Sequence, residues 1–362
     1  MNINPKIFIL LGSILLIVGG FYAFSIFSDR EFVTPGPVTV IPPSLQNDEL
    51  KCLSKDEYVD YPLDLNSNPF LKIPKEYPVT ISVRDSDTGV EKSSFVIENI
   101  RSNYRPIEIH KCSVYTTKTF NYNKSRIAAG QWDEDYRVEF WKYSYDGSGE
   151  KKILLLENSL GAFTSYFSTD FRVSFNEKYT SLTKGYLGRD DYSLIIKDLN
   201  TLEDPFILSL QEIISKDESI FGDIGLNWWS SDSRYFWANI FQAADVLAFI
   251  RVDTTDWTWE LFPAPIGTMG GDALNPDLGL VTYDVGAPWT ADPDFEASYQ
   301  QRMEREGNLS HFYVYNLITK QQILLETTPD HNWSFRPWWI SENELQYHAP
   351  PDGEIKVYKV GE

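Results

Sequence analysis

The chain has 362 residues and a formal net charge of -20, with 32 Lys and Arg against 52 Asp and Glu. Most of such a surface repels a phosphate backbone, which argues against nucleic acid as a partner. Two cysteines, Cys52 and Cys112, are too few for a disulfide-dense or zinc-finger scaffold, and 15% aromatic residues suit broad pleated sheets packed on one another.

From the N-terminus, residues 1–5 read as a cytoplasmic stub and residues 6–28 as one transmembrane signal-anchor helix. Ile7 to Phe27 is apolar except at Gly12, Ser13, Gly19, Gly20, Tyr22 and Ser25. As a helix it is about 30 Å long, the thickness of a bilayer core. Lys6 precedes the run, and Asp29, Arg30 and Glu31 follow it. The positive-inside rule then leaves the bulk of the chain extracytoplasmic, at a cell surface or in a periplasm. A cleaved signal peptide is the alternative: Ala23-Phe24-Ser25 offers small residues for cleavage, but the run is longer than a usual signal core. No cysteine follows for a lipid anchor. Residues 29–60, with Pro35, Pro37, Pro42 and Pro43, read as an extended spacer, since prolines this dense suit neither helix nor central strand.

Residues 61–362 read as strands and turns, with two turn signals in alternation. The first is strongest at Ser230-Ser231-Asp232-Ser233-Arg234-Tyr235. Weaker copies lie at Asn121 to Ala128, Ser174 to Tyr179, Asn275 to Leu280 and Ile340 to Leu345. The second follows a strand and has Asp or Asn at its head: near Asp85, Asp146, Asp198, Asp253 and Asn316. There the Asp or Asn side chain, aided by a nearby Thr, closes the hairpin on the backbone. Strict alternation predicts an all-β fold, a β-propeller of five blades, or six if Ile355 to Val360 is an extra strand. The body begins with a second-type hairpin and ends with a first-type one. This predicts closure in a shared sheet, Trp338 to Tyr358 supplying inner strands and Pro78 to Glu98 outer ones. An irregular β-sandwich is the competing architecture.

Ser230-Ser231-Asp232-Ser233-Arg234-Tyr235 resembles the Ser-Pro-Asp-Gly-Lys-Tyr repeats of TolB-type propellers, found also in the propeller domains of dipeptidyl-peptidase-like proteins. Pro is kept only in Asn275-Pro276-Asp277, and Gly is missing from most copies. The resemblance spans roughly residues 79–360 and implies a scaffold for a protein or ligand rather than a reaction.

In such a ring the loops from second to third strand share one face. They are expected at Gly130 to Asp135, Gly185 to Asp191, Asn239 to Asp245 and Asp284 to Ser310. Trp132, Asp133, Tyr186, Arg189 and Trp289 are the candidate binding residues, since aromatic rings and guanidinium groups on loops make interface anchors. Within the longest loop, Asp292 and Pro293 head an expected helix with Phe295 and Tyr299 on one face. Thr268 to Asp272 is glycine-rich but lacks the Lys-Ser/Thr ending of a phosphate cradle, so no cofactor is expected. The clustered acids Asp133 to Asp135 and Asp190-Asp191 lack calcium-loop spacing. His110, His311, His331 and His348 lack zinc-helix spacing, so no metal is expected either.

The reading is a membrane-anchored binding scaffold for a protein or glycan, rather than an enzyme. The alternative is a carbohydrate-active hydrolase, with acid and base drawn from Asp133, Asp190, Asp245 and Asp284. Cys52 and Cys112 either bridge the spacer to the first blade or remain thiols.

Overall fold

The computed structural model describes residues 52–61, 76–101, 107–120, 137–159, 162–166, 170–185, 192–242, 245–265, 273–285, 310–328 and 334–361. All lie in one compact unit, Val40–Leu63 with Lys75–Glu362. The remaining unit, Met1–Thr39 with Asp64–Pro74, falls outside the described residues, as does the expected transmembrane segment. Among the described residues no helix is long and apolar enough to cross a membrane.

Among the described residues the unit is all-β with one short helix. A first, eight-stranded sheet holds β1 (Glu57–Asp60), β2 (Glu76–Asp85), β3 (Glu91–Arg101), β4 (Ile107–Ile109), β5 (Val114–Phe120), β6 (Arg137–Tyr143), β7 (Gly149–Ser159) and β8 (Ala162–Tyr166). Its order is β1-β2-β3-β5-β6-β7-β8, with β4 also on β5. The second sheet is β9 (Arg172–Val173), β10 (Tyr179–Lys184), β11 (Ser193–Asp198) and β12 (Phe206–Ser209). The third is β13 (Asp223–Trp229), β14 (Tyr235–Gln242), β15 (Asp245–Asp253) and β16 (Thr258–Pro263). The fourth is β17 (Leu274–Asn275), β18 (Leu280–Val285), β19 (Ser310–Asn316) and β20 (Gln322–Thr328). The fifth has three strands, β21 (Trp338–Trp339), β22 (Glu344–Ala349) and β23 (Glu354–Lys359). The second to fifth are antiparallel meanders, as blades of a propeller are, whereas in the first β3 passes β4 to pair with β5. The helix, α1 (Leu210–Lys216), links second sheet to third and opens with a capping box between Ser209 and Glu212.

Period-two alternation explains the packing, because each strand gives one row of side chains to either neighbour. Tyr115, Phe140 and Leu155 of the first sheet meet Val173 and Leu182 of the second. Leu194, Ile196 and Leu208 of the second meet Trp229, Phe236 and Ile250 of the third. Trp237 and Phe249 then meet Leu274 and Val281 of the fourth, while Phe312 and Val314 meet Leu345 and Tyr347 of the fifth. The other side of the first sheet, at Val114, Tyr143 and Tyr145, is covered by Val79, Ile81, Val83 and Ile97.

Both turn signals fall between strands. At the second type, one side-chain oxygen of Asp85, Asp198, Asp253 or Asn316 accepts from the amide two residues on. The residue four places on has positive φ in each: Gly89, Leu202, Trp257 and Lys320.

Several expectations are corrected. The shared closing sheet is not formed: β2 and β3 pair with β1 and β5, and among the described residues no ladder joins them to β22 or β23. A hairpin turn is a local signal and does not choose its outer neighbour. β1 lies in what was read as spacer, and β23 is the third strand of the last sheet, not an extra one. The Asn121 copy falls between β5 and β6, outside the described residues; the corresponding turn, between β4 and β5, is instead residues 110–113. Asn239 to Gln242 belong to β14, so the third sheet's loop shrinks to residues 243–244.

Candidate binding face

Every sheet has two ends. At one end sit the turns from first to second strand and from third to fourth. The opposite end carries the loops from second to third.

The turns of the second and third sheets are wired alike, residue for residue. Ser174 and Ser230 receive backbone bonds on their hydroxyls from Tyr179 and Tyr235, at 2.9 and 2.8 Å. Both hydroxyls donate in turn to Asn176 or Asp232. The fourth motif position has positive φ, 55° at Glu177 and 61° at Ser233, which is why glycine suits it. Here that position carries a side chain, and the side chain reaches the preceding sheet. Glu177 accepts from the Cys112 amide at 3.2 Å and the Tyr115 hydroxyl at 3.0 Å, and pairs with Lys142 at 3.3 Å. Ser233 Oγ accepts from the Asn176 amide at 3.0 Å. The series continues: the Ser231 amide donates to Asp277 at 2.6 Å, and Asn275 Nδ2 donates to the Glu342 carbonyl at 2.8 Å. Each turn is thereby bolted to the next, from the first sheet to the fifth.

Deeper in the stack the bolts are charged. Arg172 pairs with Glu108 at 3.3 Å and donates to the Asn227 carbonyl at 2.9 Å, spanning three sheets. The Trp229, Trp237 and Trp339 indoles each donate to a backbone carbonyl of the adjacent sheet. Burial opposes the charge of Glu177, but the Ser113 hydroxyl, His110, Lys142 and the Cys112 amide outweigh it and hold the carboxyl below its ordinary range. The Cys52–Cys112 disulfide lies on the same end, with Cys112 in the β4–β5 turn rather than in a strand, and the Leu53 amide donates to Lys111 beside it.

The loop end is built differently. The five candidate residues, Trp132, Asp133, Tyr186, Arg189 and Trp289, lie outside the described residues, as does the helix expected from Pro293. Their roots are described. Residues 121–136, with Trp132 and Asp133, spring from Phe120 and Arg137, whose guanidinium lies 4.4 Å from the Phe120 ring centre. Arg137 also donates to buried Glu139 at 3.1 Å, which accepts from the Trp141 indole at 2.9 Å. Lys118 lies over Trp141, 4.7 Å from the ring centre, and burial lowers its affinity for a proton. Residues 186–191, with Tyr186 and Arg189, end at Tyr192, whose hydroxyl accepts from the Ile224 amide at 2.9 Å. Residues 286–309, with Trp289, start beyond Asp284, whose carboxyl burial pushes up to about 6. Asp245 opens β15 in an exposed position. Sequence reasoning missed Phe120, Arg137 and Lys118, although a cation and a ring two residues apart on one strand share a face. Among the described residues no group of three or more metal-ligating side chains is gathered.

The chain is similar in structure to three solved proteins. TolB from Acinetobacter baumannii is 12% identical over 78% of this chain and 57% of that one, at a TM-score of 0.38. This chain therefore spans little more than half the length of that TolB. The β-propeller domain of the Trilobed protease from Pyrococcus furiosus, described as having an open velcro topology, is 11% identical over 84% and 78%, at 0.42. Oligogalacturonate lyase from Vibrio parahaemolyticus is 12% identical over 78% and 72%, at 0.44. Such likeness concerns the fold alone. No protein-family model and no curated protein matches the chain.

Proposed function

We propose that this chain is a five-bladed, TolB-like β-propeller, anchored by residues 6–28 and held outside the cytoplasm, which binds a protein or glycan through its loop end. The observation that carries the binding role is the contrast between the two ends. Bolts join the turns of all five sheets at one end, so the loops at the other stand on a fixed platform, as recognition loops do. The Cys52–Cys112 disulfide supports the compartment, since such bonds persist in oxidising surroundings.

Two measurements on the full-length protein test this reading. In isolated membranes, maleimide should label Cys52 and Cys112 only after reduction; labelling without reductant would place the domain in a reducing compartment. A variant carrying Trp132→Ala, Tyr186→Ala, Arg189→Ala and Trp289→Ala should lose a protein or glycan that the wild type retains. Equal retention by both would remove the loop end as the binding face.

Asp284 favours one second reading. A carboxyl at a loop root that burial pushes up to about 6 suits the acid half of a carbohydrate-active hydrolase. Asp133, Asp190 or Asp245 would supply the other half. Polysaccharide cleavage that vanishes in Asp284→Asn would establish it.

A further inference from the structure

The first sheet carries two cations at its loop end that the fold does not neutralise. On β5 and β6, Phe120 stands opposite Arg137 and Lys118 opposite Glu139, so the four side chains share one side of the sheet. Arg137 Cζ lies 4.4 Å and Lys118 Nζ 5.7 Å from the same Phe120 ring centre, so the two charges converge. The groups that face them are Glu98 on β3, Glu139 and Tyr143 on β6, and Lys151 on β7. Glu139 is buried and already engaged: Arg137 Nε and the Trp141 indole donate to it, and Lys151 lies 3.6 Å away. Lys118 donates to the Tyr143 hydroxyl at 3.1 Å, and among the described residues no carboxylate pairs with it. Glu139 and Glu98 attract its charge too weakly to offset burial, which holds its proton affinity below the ordinary 10.5. Arg137 commits only Nε, and its side chain is 38% exposed, so its two terminal nitrogens remain for another acceptor. A half-buried ammonium beside an open guanidinium fork suits one further anion.

We propose that Lys118 and Arg137 bind the C-terminal carboxylate of a peptide, the guanidinium fork taking both oxygens and the ammonium one of them. Two observations select this ligand. First, a chain of net charge -20 repels a polyanion or an acidic segment. A terminal carboxylate brings a single negative charge on a chain that is otherwise neutral or basic. Second, the rings here hold the cations: Lys118 lies 4.7 Å from the Trp141 ring centre, and Arg137 covers Phe120. These ring faces are thereby spent on fixing the charges rather than on stacking a sugar, and a ligand meets the charges themselves. The inference rests on the loop end being the binding face, and it makes the partner a protein.

Calorimetric titration of the full-length protein in a non-ionic detergent tests it, with acetyl-trialanine as the probe and the C-terminal amide of that peptide as the control. The acid should bind at least about 10-fold more tightly than the amide, and Arg137→Gln or Lys118→Met should bring it down to the amide. Binding should weaken as pH rises toward 10.5, because Lys118 sheds its proton, and Lys118→Arg should flatten that fall. Slow hydrogen exchange retained on β10 and β14 identifies a folded variant. Equal binding of acid and amide by the wild type would overturn the proposal. So would an acid that binds only after Asp133→Asn, Glu134→Gln and Asp135→Asn, since the cations would then belong to a carboxylate of the chain itself. The loop-end reading fails separately. A protein lost by the quadruple loop variant but retained by Lys118→Met with Arg137→Gln keeps that reading and discards the carboxylate site; retention by both variants discards both.

Discussion

The two ends of the sheets differ in how their bonds are spent. At the turn end, side chains bond across sheet boundaries: Glu177 to Cys112 and Tyr115, Asn176 to Ser233, Ser231 to Asp277, Asn275 to Glu342. At the loop end the bonds among Arg137, Glu139 and Trp141 stay within one sheet, while the Tyr192 hydroxyl accepts across the boundary from the Ile224 amide of the third sheet. Among the described residues the cross-sheet side-chain bonds are more numerous at the turn end. The departures from Ser-Pro-Asp-Gly-Lys-Tyr make the same point. Where glycine would relieve a positive φ, Glu177 and Ser233 accept strain and give a side chain to the neighbouring sheet.

The largest break in this contrast should come from the disulfide. It closes a loop of 60 residues that holds β1, β2, β3 and β4 of the first sheet. Cys52→Ser should lower the unfolding free energy by about 4 kcal/mol in the chain-entropy model, read by denaturant titration. A loss under about 1 kcal/mol would mean that the Val79, Ile81 and Ile97 packing already holds this segment.

Next comes Glu177. Its removal leaves the Tyr115 hydroxyl and Lys142 without their carboxylate partner, so Glu177→Ala should lose about 3 kcal/mol near neutral pH. The folded state holds this carboxyl below its ordinary 4.5, so its stabilisation is present above that value and is lost as pH falls through the lowered one. Wild type and variant should therefore converge in acid. Glu177→Gly separates strain from bonding, because glycine relaxes the positive φ but restores no contact. Stability equal to wild type in the glycine variant would show that the cross-sheet bonds do no more than offset the strain of the positive φ.

These bonds also mark how far the sequence could be read. Ser174, Asn176 and Tyr179 lie within a few residues of one another, and their hydroxyl and amide wiring is local; hence the turn was legible. The partner of Glu177 lies 65 residues away at Cys112 and depends on which sheet stands beside which. No spacing encodes that. The β4–β5 turn was invisible for a related reason: His110 to Ser113 lacks the Ser-x-Asp pattern, and besides its own His110 to Ser113 backbone bond it is held by Glu177 and Cys52. The Asn121 segment, which carries the pattern more weakly, lies outside the described residues. At the loop end, alternation along β18–β19 placed the Asp284 to Ser310 connection within two residues, whereas the expected Gly130 to Asp135 loop lies outside the described residues. Which loop side chains gather is a matter of tertiary placement that no turn signal reports.

The smallest effect should be at the loop end, and its sign should be opposite. Asp284 sits at the end of β18, and burial raises its carboxyl from 3.8 to about 6. A carboxyl that holds its proton more tightly when folded favours the native state in acid. As pH rises from the unfolded value through the folded one, the unfolded chain releases the proton first and gains relative to the fold. Wild-type stability should thus fall between roughly pH 4 and pH 6 because of this group, whereas Glu177 makes it rise over its own lower range. Asp284→Asn keeps the shape and removes the titration. It should stabilise the protein by up to about 2 kcal/mol at pH 7.5 and by almost nothing at pH 4, measured as midpoints at the two pH values. Such a gain would identify a residue kept at the expense of stability, as expected where an end is given to recognition or chemistry rather than to holding the sheets together. Equal midpoints for wild type and variant at both pH values would place Asp284 in solvent, and the contrast between the ends would then rest on the turns alone.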